Sequence, residues 1–143
     1  KIYSIAHEGQ ECIDESKLKD VWEEEHLKLC IPFYDSFIFK NMMNFDSCAP
    51  DLNQLNPTFF IERGGLPFDE VLEEKVRKYA KQFNFETEIV KSVYYNKRSD
   101  VTKLQTYKCI CSRKFGKKTL SKPNLDHFGS REFSFESYLE NQN

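Results

Sequence analysis

Cysteine and histidine are the side chains of this 143-residue sequence with the widest chemistry, and their spacing limits it. The five cysteines stand at positions 12, 30, 48, 109 and 111, and the three histidines are His7, His26 and His127. On a helix His26 and Cys30 would be i and i+4, on one face, and Cys109-x-Cys111 could supply two more donors to a zinc ion. Structural zinc sites usually draw on cysteine pairs two to four residues apart, and a histidine one turn from a cysteine is more often incidental, so no metal or other cofactor is assigned. Nucleophilic catalysis needs a histidine beside a cysteine or serine, and none of the three lies in a recognisable motif. Glu23, Glu24 and Glu25 read as a solvated helix face, and Gly64-Gly65 stands alone without a phosphate-binding loop around it. No residue is assigned a catalytic role.

Five cysteines in a domain of this size favour an oxidising compartment, and their odd number leaves at least one thiol free or paired between chains. A helix over about residues 14–29 rises about 1.5 Å per residue, which sets Cys12 and Cys30 too far apart for the roughly 7 Å between bonded Cα atoms. Two antiparallel helices would instead return Cys48 to Cys12. Cys109 and Cys111 would leave an expected strand on the same face, where a direct bond is strained, so one of them is expected to reach Cys30. A bond of that kind constrains the unfolded chain across a long loop. The sequence opens on Lys1, for which a cleaved secretion signal is one explanation. Asn56-Pro57-Thr58 is blocked as a glycosylation site by its proline.

Charge is distributed unevenly. Residues 1–60 hold five Lys and eleven Asp or Glu, a net of −6, whereas residues 85–122 hold ten Lys or Arg and three Asp or Glu, a net of +7. Lys91, Lys97, Arg98, Lys103 and Lys108, followed by Arg113, Lys114, Lys117 and Lys118, would attract a polyanion or an acidic protein surface. Tyr94, Tyr95, Tyr107 and Phe115 interleave with them; aromatics among cations stack bases or anchor protein interfaces, and they equally suit a hairpin whose rings point into the core.

Elements must hold these residues in place. Thirteen Phe, seven Tyr and 39% hydrophobic residues predict a packed globule, read as a single domain over 1–143. Asp14 can cap a helix over about 14–29 through Leu18, Val21, Trp22 and Leu29; the apolar run at about 33–45 reads as a buried helix, with a buried strand as its competitor. Pro50, Pro57 and Gly64-Gly65 mark a connector containing a short strand at Thr58–Ile61. Pro67, with Asp69 and Glu70 behind it, opens a helix over about 67–83 whose stripe is Phe68, Leu72, Val76, Tyr79 and Phe83. Alternation over about 87–95 and 101–112, around the polar stretch Asn96–Asp100, predicts a β-hairpin. The tail over 120–143 is expected to pack back in part through Phe128, Phe133, Phe135, Tyr138 and Leu139. No stretch approaches the roughly 20 apolar residues of a membrane span.

The helix and hairpin over roughly residues 68–115, with a cysteine ending the second strand, loosely resemble zinc-bearing DNA-binding domains of the WRKY and GCM type. Those domains need a later His-x-His or His-x-Cys pair, and only His127 follows Cys111, so nothing is carried over from the resemblance. The residues together predict an α+β, disulfide-linked, secreted binding protein that contacts a protein or anionic polysaccharide through a basic hairpin. An intracellular nucleic-acid-binding module is the alternative, and a small hydrolase or protease inhibitor the third reading.

Overall fold

Mixed helix and strand is what the chain adopts. The computed structural model describes residues 15–43, 49–111 and 130–141, which carry five helices and a three-stranded sheet. In chain order these are α1 (Glu15–Asp20), β1 (Cys30–Ile31), α2 (Phe37–Met42), β2 (Thr58–Ile61), α3 (Asp69–Phe83), β3 (Glu86–Ile89), a 3-10 turn (Arg98–Asp100), α4 (Val101–Cys111) and α5 (Phe135–Glu140). The chain packs as two compact units: residues 1–60 with 75–88, and residues 61–74 with 89–143. The boundary passes through β2 and α3.

In the first unit β1 and β2 run parallel, pairing Cys30 with Thr58 and Ile31 with Phe59. The sheet order is β1-β2-β3, and a helix, α3, connects β2 to β3, as parallel neighbours require. Ser36 starts α2 by accepting the Phe39 N–H at 3.2 Å and donating its own hydroxyl proton to Phe33 O. Phe33, Ile38, Phe39, Leu52, Leu55, Phe59, Val76 and Ala80 are buried, each large side chain among them stabilising by about 1.5–3 kcal/mol. Phe37, Phe59, Tyr79, Phe83 and Phe85 form a chain of ring contacts with centroids 4.8–6.3 Å apart. Helix α3 ends at Asn84, whose left-handed φ of 58° lets Phe85 N–H reach back to Ala80 O at 2.8 Å.

In the second unit the first turn of α3 is fastened by Asp69, whose buried carboxylate accepts the Leu66 N–H at 3.0 Å. Residues 89–95 run extended beside the C-terminal segment: Tyr95 and Ser134 form an isolated parallel bridge, Tyr94 N–H donates to Phe133 O, and Phe135 N–H donates to Tyr95 O. Ser134 then caps α5 by accepting the Ser137 N–H at 3.1 Å. Phe133, Ser134 and Ser137 are buried, and Ser130 hydrogen-bonds Gly64 O, so this part of the tail is an integral element.

Three expectations are corrected. The β-hairpin is absent: β3 covers only Glu86–Ile89, it belongs to a parallel sheet, and the expected second strand is the helix α4. Helical spacing prevails there because Val101, Leu104, Gln105 and Lys108 are half-buried while Thr102, Lys103, Thr106, Tyr107 and Ile110 are exposed. The proposed Cys30 crosslink to Cys109 or Cys111 is not formed, since Cys30 is an exposed free thiol, and no disulfide occurs among the described residues. Cys109 and Cys111 lie in the last turn of α4, whereas Cys12 and Cys48 fall outside the described residues. The two N-terminal helices are shorter than expected. Helix α1 stops at Asp20, where extension would place Glu24 one turn from Asp20 and crowd Glu23–Glu25 at the negative end of the helix.

Candidate functional site

The cations singled out by the sequence divide into those the structure places and those it does not. Arg113, Lys114, Lys117 and Lys118 lie outside the described residues. The rest belong to the second unit, on the extended 89–97 stretch, the 3-10 turn and α4. Most of them meet an acidic partner in the same unit. Arg98 sits in the 3-10 turn, and its guanidinium grips Glu140 with Nη1 at 2.8 Å and Nη2 at 2.6 Å, while its Nε stands 3.5 Å from Glu132. Its backbone N–H also donates to Glu136 at 2.9 Å. Hydrogen bonding to Glu140 raises the Arg98 pKa further and Arg98 in turn lowers that of Glu140, as a two-pronged ion pair should.

Lys91 is the most enclosed of these cations, its ammonium 2.7 Å from Ser137 Oγ and 3.7 Å from Glu132. The Ser137 hydroxyl donates to Glu132, and that bond, opposed by burial and helped by Arg98 and Lys91, holds the Glu132 carboxyl below the usual range. A serine hydroxyl beside a lysine amine is the raw material of a nucleophile and its base. Ser137 is fully buried and Lys91 is ion-paired with Glu132, so the pair builds structure and offers no surface to a substrate. Tyr95 belongs to the same cluster, its hydroxyl donating to Ser130 O at 3.0 Å and its pKa raised chiefly by burial.

Farther along, Lys103 pairs with Asp100 at 2.7 Å, and that contact, with the Lys97 N–H, lowers the Asp100 pKa. Lys97 is exposed and donates its backbone N–H to Asp100. Lys108 places its ammonium 5.8 Å from the centre of the Tyr94 ring, a cation–π contact at the surface. What is left uncovered on this unit is apolar as much as charged: Ile89, Val93, Tyr94, Tyr107 and Ile110 are all exposed, Tyr107 by 64% and Ile110 by 55%.

The first unit holds a feature that sequence reasoning missed. A cleft of about 390 Å³ opens between the turn at Glu24–Lys28, the segment Leu55–Thr58 and the segment Asn84–Glu86. Leu55, Pro57, Leu27 and Phe85 supply its apolar walls, and Glu24, Glu86, Lys28, Asn56, Asn84 and Thr58 its polar rim. Asn56 donates to Glu24 at 2.5 Å, Thr58 donates to Glu86 at 3.4 Å, and Lys28 pairs with Glu88 at 3.7 Å. No local motif announces the cleft, because three separate stretches converge on it; Asn56 and Asn84, both with left-handed backbone, stand at its edge, one just before β2 and one just after α3.

Among the described residues no group of three or more His, Cys, Asp or Glu side chains could hold a metal ion, and His26 is exposed in the turn before β1. No helix among the described residues is long and apolar enough to cross a membrane. Comparison of the chain with protein-family models, with curated proteins and with solved structures finds no match.

Proposed function

We infer that the chain is a small secreted or lumenal binding protein without catalytic activity, and that its partner is a protein contacted through the outer face of α4. The observation that carries this reading is the contrast within the second unit between compensated cations and exposed apolar side chains. Lys91, Arg98 and Lys103 each have a carboxylate within 4 Å, whereas Tyr107 and Ile110 stand i and i+3 on the exposed side of α4. Exposed aromatic and aliphatic side chains beside a few charges are the composition of a protein interface, while a polyanion would have to compete with Glu132, Glu140 and Asp100 for the same cations.

A photo-crosslinking side chain at position 107 tests the reading in the fluid or lumen from which the protein is drawn. One discrete protein adduct is expected, lost on Ile110→Asp and kept on Lys103→Glu. An adduct insensitive to Ile110→Asp removes α4 from the contact. The Lys108–Tyr94 pair supports a second reading, nucleic acid or anionic polysaccharide, since a cation over an exposed ring suits base stacking or sulfate binding. That reading requires retention on heparin or DNA that falls steeply with salt.

A further inference from the structure

We propose that the cleft in the first unit is a binding site for a guanidinium group carried on a short apolar stem, such as an arginine side chain. The proposal is independent of the α4 interface. It starts from the volume, about 390 Å³, which lies in the range of small-ligand sites. The walls come from Leu27, Leu55, Pro57 and Phe85, of which Leu55 and Pro57 are buried, so the interior takes hydrocarbon.

The charge at the mouth selects what the hydrocarbon carries. Glu24 and Glu86 line the cleft, and Lys28, the only cation lining it among the described residues, is matched by Glu88, so two carboxylate charges remain. One oxygen of each is already oriented by a neutral donor, Asn56 for Glu24 and Thr58 for Glu86. The second oxygen of each, Oε2 of Glu24 and Oε1 of Glu86, is given no donor by those two bonds. A guanidinium has five N–H donors in a planar fork and bridges two carboxylates, whereas a lysine ammonium meets them as a point charge and holds its water more tightly. An anionic ligand would face two like charges, and two carboxylates without a third donor do not make a metal centre.

Isothermal titration of the intact chain with Nα-acetyl-arginine-methylamide tests the site, with free arginine, the corresponding lysine derivative and the neutral citrulline derivative as further arms. Saturable binding is expected for the arginine derivative, at least about tenfold weaker for lysine and absent for citrulline. Binding of free arginine as well identifies a metabolite-type site, and binding of the capped form alone identifies the side chain of a peptide; both support the site. Glu24→Gln and Glu86→Gln, at exposed positions where folding is not at stake, are each expected to weaken binding about tenfold. Asp35→Asn, in the same unit but outside the cleft and paired with Lys40, is expected to leave it unchanged. Equal binding of citrulline, indifference to both Glu24→Gln and Glu86→Gln, or heat that fails to saturate overturns the proposal.

Discussion

Glu132 is a residue on which several polar contacts of the second unit converge. It accepts from the Ser137 hydroxyl and lies within 4 Å of Lys91 and Arg98, so its ionised form is the one the fold selects. Its pKa is lowered, first by Ser137 and then by the two cations against the cost of burial. A carboxyl whose pKa is lower folded than unfolded adds stability that is complete above the unfolded value, about 4.3, and disappears as pH falls through the folded value. Glu132→Gln is therefore expected to lower unfolding free energy at pH 7 by about 1 kcal/mol, less than a fully buried charged hydrogen bond gives because a third of the side chain faces water. The variant and the parent should draw together as pH falls through the lowered folded value. Urea titrations stepped from pH 7 into the acid range check both limbs, and a loss that stays the same at every pH would mean that packing, not charge, is what Glu132 contributes. The sequence singled out the cations of this cluster and left their acidic partners unread, because Lys91 and Glu132 are 41 positions apart and meet through the pairing of residues 94–96 with residues 133–136.

Helix α4 is the element on which sequence and structure part. Val101 to Cys111 contains enough β-branched and aromatic residues to suggest a strand, yet the exposure pattern has helical spacing and Thr106 donates its hydroxyl to Thr102 O, one turn back. A threonine in an exposed helix costs roughly 0.5 kcal/mol relative to alanine, whereas in a strand threonine is the favoured residue. Thr106→Ala should therefore stabilise the protein by about 0.5 kcal/mol, read as a raised urea midpoint at constant slope and a small gain in helical circular dichroism. Destabilisation would restore the strand. Helix α3 and strand β2 were legible in advance for the reason that α4 was not. Pro67, Asp69 and the Leu72–Val76 stripe agree on one answer, as do the flanking turn residues of Thr58–Ile61, while in α4 the local preference and the period disagree. Its polar approach, Asn96–Asp100, also has two uses: it suits a hairpin turn as well as the 3-10 entry to a helix that Asp100 fastens through the Lys97 N–H. The cleft of the first unit could not be read at all, since Glu24, Thr58 and Glu86 meet only through the β1-β2-β3 order of the sheet.

At the scale of the whole molecule the open question is the compartment, and the thiols decide it. The chain carries five cysteines, and Cys30 is an exposed free thiol, outside any bridge among the described residues, which leaves the state of the other four unfixed. Because disulfides consume thiols in pairs, an oxidised monomer must retain an odd number, either one or three, and Cys30 must be among them. A chain from a reducing compartment retains all five. An exposed thiol is open to alkylating reagents, so brief alkylation of the native protein should label Cys30. Alkylation after denaturation without reductant, read by mass and peptide mapping, then gives the total. One or three labels with Cys30 included is the outcome that the secreted reading requires. Five labels would remove it and leave the binding face of α4 and the cleft of the first unit to act inside the cell, where a free Cys30 has no oxidising environment to withstand.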